Sequence, residues 1–204
     1  MVSASRAEGP GPAWPPGSAI IASVKDEDSF RQVLSSPPRD VLLQFGSICT
    51  LPGLVAELHR AGKRALVHVD LIEGLSGKEI VAEYLKNKVL ADGLISSKAP
   101  LIKAAGRLNL ITIHRFFLID SFSFHNLPRQ YAASQADYLE IMPGCINPKF
   151  LSWVREMLKK PLIASGLICE PEAALAALAA GARAVSTSAY ALWALSNGQG
   201  VEPC

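Results

Sequence analysis

Short aliphatic runs recur along the chain at intervals that suit strands alternating with helices. Between these runs, apolar residues recur at helical spacing, as in Leu51, Leu54, Val55 and Leu58 ahead of Gly62. Near-continuous hydrophobic strands separated by amphipathic helices predict a parallel sheet that is covered on both faces. The runs predicted to be strands are 19–24, 41–45, 65–70, 93–96, 110–117, 137–142, 162–165 and 184–188.

Eight strand and helix units in one domain close most simply into a compact (β/α)8 barrel of the TIM type. The chain of 204 residues is short for such a barrel, so its helices and loops must be trimmed. The alternative is an open doubly wound sheet, which usually carries a GxGxxG turn after its first strand, and that turn is missing. We therefore predict a single barrel domain over 18–197, a disordered Pro/Gly-rich tail over 1–17 and a C-terminal tail over 198–204.

Composition narrows the class of protein further. Hydrophobic residues make up 50% of the chain and aromatic residues only 7%, which indicates a large aliphatic core. No run approaches the length of a membrane-spanning helix, and the N-terminus lacks the apolar segment of a secretory signal. The four cysteines are too widely spaced for a zinc site or a disulfide framework. These features favour a cytoplasmic protein with reduced thiols, no metal and no membrane partner.

Polar residues gather where the predicted strands end. The run HVDLIEGLSGK at 68–78 passes from an apolar strand into a glycine-containing loop, and the segments 94–98, 112–121 and 164–168 repeat this arrangement. In a barrel the carboxyl ends of all strands lie on one face, and that face carries the chemistry. We therefore expect the functional residues at this end.

The segments after the last two predicted strands fit a phosphate site. They offer Ser165 and Gly166, then Thr187 and Ser188, and barrels often hold phosphate with these two loops. Gly166 would let backbone N–H groups approach an anion, and the hydroxyls would add donors. The alternative is that the hydroxyl residues only cap the following helices.

Charged residues interrupt or follow the apolar strands at the same end. Lys98 and Arg115 would balance a phosphate dianion. Asp70 and Glu140 would act as general acid and base, bind a divalent metal, or accept hydrogen bonds from a polyol, and the sequence does not separate these roles. His68 and His114 are interpreted as core histidines, so no catalytic residue, metal ligand or cofactor site is assigned.

With these residues in place, the chain resembles the glycerol-3-phosphate-responsive antiterminator family, the glycerol uptake operon antiterminator regulatory proteins. The resemblance runs from about Val41 to Leu195 through the segments HVDLIEGL, DGLISSK, TIHRFFLIDS, YLEIMPG, SGLI and AGARAVSTSAYALW. The family usually has glycine where this chain has Ser165, and glutamine where it has His114. Membership implies a barrel that binds glycerol 3-phosphate and acts on leader mRNA to prevent premature termination.

Two functions remain open at this point. One is a ligand-sensing, RNA-binding regulator without enzymatic activity, which the resemblance favours. The other is a small phosphosugar or glycerol-phosphate enzyme on the same barrel, such as an isomerase, a synthase or a phosphodiesterase. The oligomeric state is also open, with a homo-oligomer among the alternatives.

Basic residues precede several strands and would lie at the opposite end of the barrel from the ligand. The formal net charge of +2 does not by itself require a nucleic-acid partner, but these residues would form a local patch. Lysine and arginine also favour helix C-termini for electrostatic reasons alone. The residues predicted to contact RNA phosphates are Arg60, Lys63, Arg64, Lys86, Lys88, Lys159 and Lys160.

Overall fold

The structure, a computed structural model, describes residues 19–197. Its strands are all parallel and pair in chain order, and the last pairs with the first to close an eight-stranded barrel. This confirms the predicted architecture, with strand limits within two residues of those expected. The predicted tails at 1–17 and 198–204 lie outside the described residues. The strands are β1 Ile20–Val24, β2 Asp40–Leu43, β3 Arg64–His68, β4 Gly93–Ser96, β5 Ile111–Phe117, β6 Tyr138–Met142, β7 Leu162–Ser165 and β8 Ala184–Thr187.

Helices follow the strands and cover the outside of the barrel. Strand β3 passes into a short 3-10 turn, Val69–Leu71, and the last helical segment, Tyr190–Asn197, is also 3-10. Helix α3 continues into one turn of π-helix, Leu85–Val89. The α-helices are α1 Glu27–Leu34, α2 Leu51–Arg60, α3 Ile80–Tyr84, α4 Ala99–Arg107, α5 Ser121–Ser134, α6 Pro148–Leu158 and α7 Pro171–Ala179.

The barrel has one core inside the strands and a second between the strands and the helices. Side chains alternate along a strand, so every second residue points into the barrel. The inner core is a separate apolar cluster made of Ile21, Leu42, Leu66, Ile95, Ile111, Ile113, Tyr138, Ile163 and Ala184. Since side chains alternate, the residues two positions before and after these on each strand also face the inside of the barrel.

The end of the barrel formed by the strand N-termini is closed by polar groups that have partners. Inward-facing Asp40 and Arg64 begin neighbouring strands and form an ion pair at 2.5 Å. The ammonium group of Lys63 is buried and donates hydrogen bonds to the carbonyls of Ser36 and Pro38 at 2.6 and 2.8 Å. Asp92, in the loop before β4, accepts a hydrogen bond from the backbone N–H of Ala65. These contacts tie loops and strand starts together at this end.

Residues 19–197 contain no helix long and apolar enough to cross a membrane. Within the same residues no group of three or more histidine, cysteine or acidic side chains is arranged to hold a metal ion. Cys49, Cys145 and Cys169 are free thiols.

Candidate functional site

A layer of polar side chains lies directly above the inner apolar core, at the carboxyl ends of the strands. Two residues beyond an inner-core position the alternation again points inward, and on six of the strands the residue there is a buried hydroxyl, imidazole or charged group. These residues are buried despite their polarity. The layer consists of Ser23, His68, Arg115, Glu140, Ser165 and Ser186.

The centre of this layer is an ion pair between Arg115 and Glu140. The two residues are direct neighbours across β5 and β6, and Nε of Arg115 donates to Oε2 of Glu140 at 2.5 Å. Glu140 is fully buried, and its other oxygen, Oε1, has no hydrogen-bond partner. Within residues 19–197 neither Nη nitrogen of Arg115 makes a hydrogen bond. Oε1 of Glu140 can therefore accept a hydrogen bond from another molecule, and the two Nη nitrogens of Arg115 can donate to one.

His68 stands in the same layer and was not among the predicted site residues. Its side chain is 3% exposed, and neither ring nitrogen has a hydrogen-bond partner. Burial, reinforced by the nearby positive charge of Arg115 and opposed by Asp70, lowers the pKa of His68 to about 4. The imidazole is therefore neutral at physiological pH, with one donor and one acceptor.

His114, the other histidine in a strand, confirms the expectation of a satisfied core histidine. It points outward from β5, where Nδ1 pairs with the hydroxyl of Ser134 at 2.8 Å and Nε2 with the carbonyl of Ser97 at 3.2 Å. Burial lowers its pKa. Its polar atoms are used in packing α5 against the barrel.

Asp70 lies just beyond β3, where it organises the neighbouring loop. Its carboxylate accepts hydrogen bonds from the hydroxyl of Ser96 and from the backbone N–H and hydroxyl of Ser97, at 2.9 to 3.1 Å. Partial burial acts in the opposite direction, but these hydrogen bonds hold the pKa of Asp70 below its ordinary value. Asp70 is ionised, and both of its oxygens already have donors.

Lys98 occupies the rim of the mouth at the start of α4. Its side chain is exposed and lies across Gly77 in the loop after β3, so closely that a Cβ at Gly77 would fall 2.0 Å from Cδ of Lys98. The absence of a side chain at Gly77 thus leaves room for the aliphatic part of Lys98. The ammonium group is available at the rim.

Ser165 and Gly166 end β7 beside the mouth. Ser165 faces inward, is 3% exposed and makes no side-chain hydrogen bond within the described part of the chain. Gly166 has a φ of +80°, and a Cβ there would meet Cε of Met142 at 2.8 Å. The carbonyls of both residues accept the N–H of Gly144. Glycine at 166 is therefore required by the packing of the β6 and β7 loops.

The structure corrects the expected role of the Thr187 hydroxyl. Thr187 follows inward-facing Ser186 and so points outward, where its hydroxyl donates to the carbonyl of Ile168 at 2.7 Å and accepts the N–H of Ala189. This hydroxyl fastens the β7 loop to β8 and is not directed into the mouth. Ser188 is exposed at the rim.

Two of the residues predicted to contact RNA are also corrected. Lys63 is 7% exposed and anchors the loop before β2, and Arg64 belongs to the buried ion pair with Asp40. Neither is placed to receive a phosphate group. Arg60, Lys88 and Lys159 are exposed, whereas Lys86 and Lys160 are half-buried, with the Lys160 ammonium 5.7 Å from the Tyr131 ring centre.

An apolar groove of about 600 Å³ lies outside the barrel, between the starts of α5 and α6. Its lining includes Leu118, Phe124, Ile146, Phe150 and Trp153. None of the residues predicted to contact the ligand or RNA lines it. A largely apolar lining does not suit a phosphate, which distinguishes this groove from the polar mouth.

The polar mouth has the donors and acceptors for a small anionic polyol. Arg115 and Lys98 supply positive charge, and Ser165 adds a hydroxyl. Glu140 and neutral His68 offer an acceptor and a donor–acceptor group deeper inside. The sequence pointed to Arg115, Glu140 and Ser165, but it offered no signal that separated His68 from His114.

The chain is similar in sequence to known proteins. The family model described as glycerol-3-phosphate responsive antiterminator matches residues 20–193. An uncharacterized Escherichia coli K12 protein, YgcP, is 45% identical over 178 residues, which cover 87% of this chain and 93% of YgcP.

Solved structures show the same relationship. The glycerol uptake operon antiterminator regulatory protein from Listeria monocytogenes has a TM-score of 0.80 and 29% identity, covering 83% of this chain and 91% of that protein. A glycerol uptake operon antiterminator-related protein from Thermotoga maritima has a TM-score of 0.77 and 30% identity, covering 86% and 98%. Deoxyribose phosphate aldolase from Aeropyrum pernix, with 15% identity and a TM-score of 0.67 over 90% and 91%, shares the fold alone. The chain belongs to the glycerol-3-phosphate responsive antiterminator family.

Proposed function

We propose that this protein is a cytoplasmic regulator that binds glycerol 3-phosphate in the barrel mouth and acts on leader mRNA to prevent premature termination. Family membership supports a regulatory role of this kind. The observation that supports this ligand is the state of Arg115. This cation is buried inside the barrel, and neither of its Nη nitrogens donates a hydrogen bond to another described residue. Burying such a charge is costly unless it serves a structural or binding role.

The phosphate of the ligand would lie near the rim. Arg115 would bind it as a fork and Lys98 as a point charge, with the hydroxyls of Ser165 and Ser188 and the backbone near Gly166 as further donors. Glu140 would accept a hydrogen bond from a glycerol hydroxyl. Asp70 would act indirectly, because its oxygens already hold the Ser96 and Ser97 loop that leads to Lys98.

Calorimetry tests this ligand site. Glycerol 3-phosphate should bind the parent protein, whereas Lys98→Ala and Arg115→Lys should each weaken binding by about 1.5–3 kcal/mol without loss of folding. Lys103→Ala, an exposed lysine on the outer helix α4, is the matched control and should bind as the parent does. A parent protein that gives no binding heat and no rise in melting temperature at millimolar ligand contradicts the proposal.

Of the predicted basic residues, those not used inside the fold would contact RNA phosphates. They are Arg60, Lys86, Lys88, Lys159 and Lys160. Each single-strand phosphate neutralised should contribute about 0.7 to the slope of log affinity against log salt. Filter binding of leader RNA by a Lys159→Ala, Lys160→Ala variant should give a shallower slope, with Lys103→Ala again as control. An unchanged slope would place the RNA contact elsewhere.

The enzyme alternative is tested by the fate of the ligand. The aldolase-like neighbours share only the fold, and no described strand contains a lysine that would place a Schiff-base amine inside the barrel. Glycerol 3-phosphate incubated with the protein should be recovered unchanged. Conversion to any product would favour an enzyme.

A further inference from the structure

We propose that His68 and Glu140 form a subsite that reads the diol end of the ligand and so distinguishes glycerol 3-phosphate from its keto counterpart, dihydroxyacetone phosphate. The inference rests on the proposed function, since it assumes a glycerol-phosphate ligand in the mouth. It adds an orientation, with the diol deep in the barrel and the phosphate toward the rim, and it assigns a role to His68.

The starting observation is a set of unpartnered polar atoms on two side chains that both adjoin Arg115. Nδ1 and Nε2 of His68 and Oε1 of Glu140 are buried and make no hydrogen bond within residues 19–197. The side chains are 3% and 0% exposed, and both face inward in the layer above the apolar core. A buried polar atom without a partner costs about 1–3 kcal/mol, so a cluster of three in a barrel mouth indicates a ligand that supplies the partners.

The surroundings of His68 keep its imidazole neutral. Arg115 faces both side chains: its Nε donates a hydrogen bond to Oε2 of Glu140, and its positive charge disfavours a second cation on His68. Asp70 acts on His68 in the opposite sense, but its charge is shared with the Ser96 and Ser97 donors. The subsite therefore presents one acceptor-only group and one neutral imidazole.

This set of groups matches two neighbouring hydroxyls. The central hydroxyl donates to Oε1 of Glu140, and the terminal hydroxyl pairs with one ring nitrogen of His68, either donating to it or accepting from its N–H. A keto oxygen has no proton to donate and would face the Glu140 carboxylate with its own lone pairs. Sites that hydrogen-bond a substrate hydroxyl reject analogues that lack it, because the polar groups of the site are then left unpaired.

The same carboxylate orients the phosphate. A phosphate dianion beside Glu140 would meet a like charge in a buried site, so the phosphate end must point the other way. At the rim the phosphate meets Lys98, and Arg115, which stands in the same layer as Glu140, offers it the two Nη nitrogens. The ligand thus enters with its uncharged end first.

Calorimetry with four probes tests the subsite: glycerol 3-phosphate, dihydroxyacetone phosphate, 1,3-propanediol monophosphate and inorganic phosphate. The parent protein should prefer glycerol 3-phosphate over the keto compound by at least about a hundredfold, and the analogue without the central hydroxyl should also bind more weakly. Glu140→Gln and His68→Leu should each reduce this preference to less than about tenfold. His114→Gln, a change at the satisfied histidine, should leave the preference intact.

A measurement on the parent protein covers the case in which a variant fails to fold. In nuclear magnetic resonance spectra of the ¹⁵N-labelled imidazoles, the His68 ring nitrogens should shift on addition of glycerol 3-phosphate and stay unchanged with inorganic phosphate. The inference would be overturned by equal affinity for the hydroxyl and keto compounds, or by His68 resonances that do not shift with glycerol 3-phosphate. Neither result would contradict ligand sensing itself. No binding of glycerol 3-phosphate by the parent protein would instead overturn the proposed function itself.

Discussion

The barrel holds an arginine–carboxylate pair at each end, and the two pairs differ in what surrounds them. At the N-terminal end Asp40 and Arg64 join β2 to β3 beside buried Lys63, whose ammonium group donates two hydrogen bonds to backbone carbonyls. At the C-terminal end Arg115 and Glu140 join β5 to β6 beside His68, and here three buried polar atoms lack partners. The geometry of the pairs is alike, at 2.5 Å in both cases.

The difference supports the proposal that the N-terminal end is structural and that the C-terminal end binds the ligand. Polar groups that close a barrel for stability are satisfied within the chain, as Lys63 is. Groups that stay buried and unsatisfied lower stability and persist where a function requires them. This matches the general division of parallel barrels into a stabilising N-terminal face and a functional C-terminal face.

Breaking the Asp40–Arg64 pair should cause the largest change, a loss of unfolding free energy. Asp40→Ala leaves the largely buried Arg64 without its carboxylate, and removing one partner of a buried pair costs about 3–5 kcal/mol of unfolding free energy. Urea unfolding measures the loss, and replacement of both partners by Leu and Met should restore most of it. A single-variant loss of less than about 1 kcal/mol would show that the pair behaves as an exposed surface contact.

The C-terminal end should control stability in mild acid. Because the pKa of His68 is about 4 when folded and about 6.5 when unfolded, the unfolded state gains a proton first as the pH falls through this interval. Unfolding free energy should therefore drop by up to about 3 kcal/mol between pH 6.5 and pH 4. Thermal or urea unfolding across this range should show a smaller drop in His68→Gln and the full drop in the exposed-site control His125→Gln.

The same substitution at the two arginines should separate binding from stability. Arg115→Lys keeps the charge but loses the fork, so affinity for glycerol 3-phosphate should fall by about 1.5–3 kcal/mol. Arg64→Lys should leave that affinity unchanged, since Arg64 lies at the other end of the barrel. Calorimetry measures both, and equal losses would mean that the two ends do not differ in function.

The smallest change should be the loss of unfolding free energy when Gly166, beside the barrel mouth, is replaced. Gly166→Ala imposes a φ of +80° on alanine and brings its Cβ to 2.8 Å from Met142, so it should cost more than about 1 kcal/mol. Gly62→Ala is the matched control, with a φ of +72° and no atom within 4 Å of the added Cβ. Urea midpoints should therefore fall further for Gly166→Ala, and equal shifts would rule out the contact with Met142 as a cause.

The sequence by itself determined the barrel and indicated the end at which we propose the ligand site. Eight aliphatic runs separated by amphipathic segments leave few architectures, and polar residues at the run ends marked the C-terminal face. The sequence also pointed to the cation and the carboxylate, because Arg115 and Glu140 interrupt apolar strands that would otherwise bury no charge.

Only the tertiary structure decided which side of the barrel wall each polar residue faces. His68 and His114 both sit near the end of an apolar run, yet one faces the lumen without partners and the other pairs with Ser134 on α5. The same applies to Thr187 and to Lys63, whose partners come from distant loops. A parallel strand is apolar on both faces, so its sequence shows no alternation that would mark the inner side. That assignment requires closure of the sheet, which fixes the register of all eight strands at once.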